Sequence, residues 1–425
     1  MKTTRHRRPG IRWGRVVLLP ILVVAVAVAF MAVIYINDQK NLKSIEDRVK
    51  QLQEELQEYL NGHQNQELVQ TVIASADGLA LRYEYDEALA VLKQNESIQD
   101  NASIKEKIAT YQAAMDALVT YSGKINNLFF HNLITQPKIA FGKTSHDPEE
   151  YRSWNITTYE FKGIIQQLYE RNYILVDMYD AYEIVDGKMV RKELKLPAGK
   201  IPFILSVDEM SYPDPKPLDG FARGMTLRNG EIVTRVQTAE GIEITTDGDI
   251  VPIMEDFIKQ HPDFSYRGAR GILAVTGYAG TLGFRLTNDG EIEDAKVLAA
   301  ELKKRGWVFG CSSYGNQLDI YSTSIDATKI DADLAKWDKI IKPIVGDSPL
   351  FVSPFGNMMN PETMNVLKKY GYTTFFTLDR TKDLTENTGM LVLSRISISG
   401  ITMANEKEYI TETFFDVDSI LDPLR

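Results

Sequence analysis

The stretch Ile201-Pro-Phe-Ile-Leu-Ser-Val-Asp-Glu-Met-Ser-Tyr-Pro-Asp214 decides how the chain is read. Phe203 to Val207 is a short apolar run, the pattern of a strand buried on both faces. It stops at two adjacent carboxylates, Asp208 and Glu209, and passes into a loop carrying Pro213, Pro215 and Pro217. Acids at the carboxyl end of a buried parallel strand stand where α/β barrels and open sheets keep their chemistry. A second stretch, Arg305-Gly-Trp-Val-Phe-Gly-Cys-Ser-Ser-Tyr-Gly-Asn-Gln317, reads as a helix end, a turn and a strand running into small polar residues.

Outward from these two stretches, strand and helix take turns. Strands are expected at 173–176, 271–275, 307–311, 350–353, 373–378 and 390–394, with Lys138 to Phe141 as a further short one. Helices are expected at 158–170, 250–260, 291–304, 328–342 and 361–370. Such alternation predicts a parallel sheet with crossover helices. Short polar alternations between Leu218 and Gly248 predict a hairpin insertion, 218–248, beside the site.

The N-terminal part is organised differently. Val16 to Ile36 contains no charge and is long enough to cross a bilayer as a helix. Arg5, Arg7, Arg8, Arg12 and Arg15 precede it, so the positive-inside bias places the tail in the cytoplasm and the rest outside. A cleaved signal peptide is the competing reading, but Ala25-Val-Ala27 and Ala27-Val-Ala29 lie within the apolar run and not after it. Leu42, Ile45, Val49, Leu52, Leu56 and Tyr59 then form an a/d seam ended by Asn61-Gly62. That seam suits either a homodimeric coiled-coil stalk or a single amphipathic helix. Ala74 to Leu92 reads as a tetratricopeptide-type hairpin turning at Tyr83-Glu-Tyr-Asp86, with a third helix from Ser103 to Tyr121. One such unit is too short for a peptide-binding superhelix and reads as a spacer.

The expected division is therefore a cytoplasmic tail and anchor at 1–37, a stalk at 38–62, a helical spacer at 63–125 and a catalytic-type domain at 126–425. A net charge of −10, with no basic cluster in the body, argues against nucleic acid as a partner. Cys311 is the only cysteine, which rules out an intramolecular disulfide.

Asp208-Glu209 and the Cys311-to-Gln317 stretch together resemble the polysaccharide deacetylases of the NodB-homology fold, carbohydrate esterase family 4. The likeness extends through His261 to Tyr278, Gly283-Phe-Arg285 and Phe351-Val-Ser-Pro-Phe-Gly356. It implies a distorted (β/α) barrel of about seven units. It places Asp208 at the family's base position and Glu209 at that of the metal-binding acid. Ser312 and Asn316 stand where the family has two metal-binding histidines. Tyr212, Tyr314, Pro354, Phe355 and Gly356 fall along its substrate groove. Val352 replaces the arginine that commonly starts one motif, and the acid histidine expected near Leu391-Val-Leu-Ser-Arg395 is missing, because no histidine follows His261.

The family's chemistry uses a divalent metal such as zinc, held by two imidazoles and a carboxylate, to polarise an acetamide carbonyl and activate water. With both imidazoles replaced, the resemblance implies a membrane-anchored extracellular homologue of impaired catalysis. Such a protein would bind cell-wall polysaccharide, peptidoglycan or a partner protein without a cofactor. The alternative is an active esterase of N-acetylated sugars with a remodelled zinc site, for which Asp208, Glu209, Cys311 and Asp319 are candidates. Neighbours on a strand point to opposite faces, so Asp208 and Glu209 need not share a site, and neither need Cys311 and Ser312. His131 and His146 are read as satisfying local hydrogen bonds. Tyr212, Phe221, Tyr266, Tyr278, Phe284, Trp307, Tyr314 and Phe355 suit either sugar rings or a core.

Overall fold

The computed structural model describes residues 24–27, 42–321, 326–378 and 389–425. Its chain divides into two units: residues up to Asp77 together with Glu87–Tyr111, and Gly78–Asp86 together with Gln112–Arg425. The Val16–Ile36 span lies outside the described residues except for a helical turn at 24–27. Among the described residues no helix is long and apolar enough to cross a membrane.

Helix α1, Leu42–Ala80, runs straight through Asn61-Gly62, where the sequence predicts a stop. A helix-interior glycine costs only about 1 kcal/mol relative to alanine, and the flanking Gln, Glu and Leu residues propagate the helix across it. The following turn comes earlier than expected. Leu81 to Tyr83 makes it, with Tyr83 in the left-handed region (φ 66°), and Tyr85 and Asp86 already belong to α2, Tyr85–Lys93. Helix α3, Ala102–Asp116, ends short of the predicted Tyr121, because Val119–Thr120 pairs with Lys195–Leu196 as a strand. Val69, Ala76, Ala88, Leu89, Leu92, Ile98, Ile104 and Tyr111 are buried apolar residues of the first unit.

The second unit is built on a nine-stranded parallel sheet. Its strands are β1 Asn126–Phe130, β2 Tyr173–Leu175, β3 Ile201–Val207, β4 Ile272–Val275, β5 Val308–Cys311, β6 Leu350–Val352, β7 Thr374–Thr377, β8 Leu391–Ser394 and β9 Ile396–Ser397. The order is β8-β7-β6-β5-β4-β3-β1-β9, with β2 on the first half of β3. Strands β8 and β9 are halves of one segment joined at Arg395. The first half pairs with β7 and the second with β1, so this segment closes the sheet on itself. Counting that segment once and leaving β2 off the ring gives seven positions among the described residues. This is the distorted (β/α) barrel expected from the sequence. The covering helices include α4 Pro148–Trp154, α5 Thr158–Glu170, α6 Ile250–Gln260, α7 Asp289–Lys304, α8 Ala327–Ile340 and α9 Pro361–Lys369.

Alternation along the strands sorts the apolar residues into two layers. Ile204, Ile272, Ala274, Leu350, Val352, Phe376, Leu391 and Leu393 pack together inside the barrel. Leu128, Phe130, Phe203, Leu205, Val207, Phe309, Cys311, Phe351 and Val392 face the helices. Two expectations fail here. Lys138 to Phe141 is not a strand; Pro137–Ala140 is a helical turn, with proline at its first position, where its fixed φ fits and its missing N–H is not needed. The first barrel strand is Asn126–Phe130, whose two asparagines hide an otherwise apolar run. The 218–248 insertion is a three-stranded antiparallel sheet and not a single hairpin, formed by Ala222–Arg228, Glu231–Thr238 and Gly241–Thr245.

Candidate functional site

Strand parity decides which side chains meet at the carboxyl end of the barrel. Asp208 follows Ile204 and Ser206 on the inward face of β3, and its own N–H still bonds to the Phe130 carbonyl at 2.9 Å. Arg395 follows Leu391 and Leu393 inward from the closing segment. The two therefore converge. Arg395 Nη1 and Nη2 donate to the two carboxylate oxygens of Asp208 at 2.7 and 2.9 Å, and Nη1 also reaches Ser206 Oγ at 3.3 Å. The guanidinium is 1% exposed and lies 4.2 Å from the centre of the Phe129 ring. A bidentate, ring-backed pair of this kind fixes its carboxylate in one geometry.

Glu209 would turn away if the strand continued. Instead it adopts a left-handed conformation (φ 57°), which brings its carboxylate into the same cavity as Asp208. Lys216, in the proline-rich loop, donates to it at 2.5 Å. The ammonium holds the Glu209 carboxyl at about 2, well below its ordinary 4.5, against the opposing effect of burial.

The cavity is about 380 Å³ and is also lined by His131, Glu150, Trp154, Thr276, Ser312, Asn316, Pro354, Phe355 and Gly356. His131 follows β1, and its Nδ1 donates to the Trp154 carbonyl at 3.2 Å. That bond leaves Nε2 as the unprotonated nitrogen of the neutral ring. Burial lowers the His131 pKa below the ordinary 6.5, outweighing the nearby Glu209 and Asp208 carboxylates. Ser312 and Asn316 are held by a carboxylate on α8: Asp333 accepts from the N–H groups of Tyr314 and Gly315 at 2.7 Å each and from the Tyr321 hydroxyl at 2.8 Å. Phe355 is forced outward at φ 59° and stands 48% exposed on the rim. Gly356 beside it cannot carry a side chain, since a Cβ there would sit 2.0 Å from Leu378.

The structure thus gathers Asp208, Glu209, Ser312, Asn316, Pro354, Phe355 and Gly356, which the sequence singled out, around one cavity. Tyr212 and Tyr314 do not line it: Tyr212 is 1% exposed in the core, and Tyr314 packs beside Lys336. Cys311 faces the helix layer, and burial raises its thiol pKa. The side chain of Asp319 lies outside the described residues. His146 does find a local partner, Asp219, at 2.9 Å. Among the other aromatics, Phe221 and Trp307 are buried and Tyr278 is exposed, with none lining the cavity. No residue of the three-stranded insertion lines it either.

The donor set does not fit the family's divalent metal. Asp208 and Glu209 are already engaged by cations, Ser312 and Asn316 are neutral, and a dication would be repelled by Lys216 and Arg395. Among the described residues no three His, Cys, Asp or Glu side chains converge as a metal site.

Comparison with known proteins places other chains beside this architecture. No protein family matches the sequence, and no curated protein does. Solved structures do. A Streptococcus pyogenes deacetylase, PplD, in complex with acetate, is 14% identical over 72% of this chain and 100% of its own, at a TM-score of 0.36. IcaB from Ammonifex degensii is 12% identical over 67% of this chain and 96% of its own, at 0.37. A de-N-acetylase from Aggregatibacter actinomycetemcomitans is 12% identical over 67% and 99%, at 0.39. At such values the barrel assignment rests on its own strand pairing.

Sequence reasoning singled out none of Phe129, Glu150, Trp154, Asn155, Lys216, Thr276, Leu378 and Arg395 for the cavity, and it read His131 as satisfying a local hydrogen bond. Parity from Leu391 and Leu393 pointed Arg395 inward, but nothing local to the sequence showed what it would meet. His131 lies in an irregular segment and Trp154 ends the two-turn helix α4, too short for a period to orient it.

Proposed function

We propose that this chain is a polysaccharide-deacetylase-like barrel that binds glycan in the Asp208 cavity without the family's metal chemistry. The bidentate pairing of Arg395 with Asp208 carries the reading. Both oxygens of Asp208 are taken by the buried guanidinium, and Glu209 beside it is taken by Lys216. What remains suits recognition. Trp154 and Phe355 are 46% and 48% exposed on the rim, and the 1% exposed Thr276 lines the cavity with a hydroxyl that lacks a protein partner. Aromatic faces with a few convergent polar groups are the usual lining of a small-ligand site.

The same reading includes Val16–Ile36 as the anchor and the outer face of the cell membrane as the place where cell-wall glycan would be met. The Leu42-to-Tyr59 seam would pair two copies. A second reading, residual hydrolysis of N-acetyl groups, is favoured by one observation: the neutral imidazole of His131 stands in the cavity as a potential base.

Titration of the full chain in detergent with N-acetylglucosamine oligomers separates the two readings. Binding should perturb tryptophan fluorescence in the natural protein and not in a Trp154→Phe variant, with no acetate released. Acetate release that disappears in Asp208→Asn would establish the hydrolase reading instead.

A further inference from the structure

Arg425 does not line the Asp208 cavity, yet its guanidinium grips the segment that carries Trp154 into it. Nη1 donates to the Arg152 carbonyl at 2.6 Å and Nη2 to the Asn155 carbonyl at 2.9 Å. A helix end leaves such carbonyls without intrahelical partners, and an arginine fork can serve two of them at once. Nε and Nη2 are anchored in turn on the fully buried carboxylate of Glu160, at 2.6 Å each. Glu160 belongs to the capping box that starts α5, where it accepts from the Thr157 N–H at 2.8 Å. One guanidinium therefore ties the end of α4 to the start of α5. The space around it is kept clear, since a Cβ on Gly400 would collide with both Nη1 and the Arg152 carbonyl.

Between the two gripped carbonyls, the carbonyl of Trp154 accepts from His131 Nδ1 at 3.2 Å. Asn155 makes a second link to the same segment: its Nδ2 donates to the Asn132 carbonyl at 2.9 Å. Helix α4 has supports of its own. Asp147 caps its start at the Glu150 N–H, and the Asn155 N–H closes its last turn on the Tyr151 carbonyl. Loss of Arg425 thus frees the peptide groups of 152–155 and leaves the helix in place.

Resting on the reading of the Asp208 cavity as the binding site, we propose that Arg425 is a positioning residue for it. By holding the carbonyls on either side of Trp154, it keeps the Trp154 carbonyl on His131 Nδ1 and so makes Nε2 the acceptor of the ring. A ligand hydroxyl or amide N–H then meets an acceptor at His131 and not a second donor. The same grip fixes the base of the indole, because Trp154 stands between the two bonded carbonyls.

NMR of isotope-labelled histidine in the full chain in detergent tests this, with the His131 signal assigned by its loss in His131→Gln. Arg425→Met alone would strand the buried Glu160 charge, so it is combined with Glu160→Gln, which retains a capping-box side chain. In that double variant the Nδ1-protonated ring should give way to a mixture of tautomers, and the His131 pKa should rise toward 6.5 as water reaches the ring. Glu160→Gln by itself keeps both carbonyl bonds and should leave the tautomer unchanged. Arg425→Lys, whose ammonium lacks the fork that spans both carbonyls, should shift the tautomer in the same direction and by less. An Nδ1-protonated ring at unchanged pKa in both Arg425 variants overturns the inference, as does a tautomer change in Glu160→Gln alone. The imidazole measurement needs no ligand, so its failure is distinct from failure of the glycan reading. N-acetylglucosamine oligomers that bind the natural chain should bind the double variant about tenfold or more weakly. Equal binding overturns the positioning role, and absence of binding to the natural chain overturns the glycan reading alone.

Discussion

Arg395 and Asp208 are 187 residues apart in sequence and are joined by two hydrogen bonds of 2.7 and 2.9 Å where the barrel closes. The segment that supplies Arg395 is the one whose halves pair with the first and last ring strands, so the ion pair and the closure of the sheet depend on each other.

Removing one partner should expose that dependence. Arg395→Met leaves Asp208 with an uncompensated charge in a nearly buried setting, which costs about 3–5 kcal/mol. Asp208→Leu combined with Arg395→Met should recover most of the loss, since two apolar groups replace both charges. Thermal unfolding of the two single variants and the double variant measures the coupling. Additive losses would mean that the pair is not coupled in the fold.

Acid should weaken the Glu209–Lys216 pair. The Glu209 carboxyl is held at about 2 against an ordinary 4.5, so the unfolded chain takes up its proton first as pH falls. The stabilisation is complete above about 4.5 and is lost as pH drops toward 2. Glu209→Gln should be less stable than the natural protein at neutral pH, by a few kcal/mol at most. The gap should close progressively below pH 4.5 in urea unfolding at stepped pH.

His131 should titrate below 6.5, because burial disfavours its charged form. The sign again favours unfolding in acid: as pH falls through 6.5, the unfolded chain gains a proton that the folded chain refuses. Imidazole resonances followed by NMR should show a proton on Nδ1 of the neutral ring. A proton on Nε2 would contradict the bond to the Trp154 carbonyl.

Zinc should not bind the natural protein stoichiometrically. Ser312→His with Asn316→His and Glu209→Asp places two imidazoles and a carboxylate around the cavity, the donor count of a catalytic zinc site. Calorimetry should then detect zinc, and more tightly when Lys216→Met frees the new aspartate from its ammonium. Tight stoichiometric zinc in the natural protein would reverse the reading of the site.

Pairing through α1 should depend on its seam. Val49, Leu52 and Leu56 are less exposed than the residues between them. The proposed pairing predicts that aspartate at 49 and 52 abolishes cross-linking between copies. Unchanged cross-linking would place the association elsewhere.

The sequence alone determined the barrel class and pointed to seven of the residues that line its cavity. Period-two alternation in β3, β4 and β8 sorts side chains between the barrel interior and the helix layer through local backbone geometry, so the inward direction of Asp208 was legible from Ile204 and Ser206. The opposed directions of Cys311 and Ser312 were legible for the same reason. Propensity misled at Gly62, where the flanking helix formers outweigh one glycine, and at Lys138 to Phe141, where the expected strand is a helical turn begun by Pro137. Tertiary structure alone decided the chemistry of the site. A left-handed Glu209 cancels the alternation that would have separated it from Asp208. Closure of the ring delivers Arg395 to Asp208, and the end of α4 delivers the carbonyl that fixes the His131 tautomer. Each of these depends on a distant segment arriving at a fixed place, and pairing energy between remote segments leaves no periodic trace in the residues that take part.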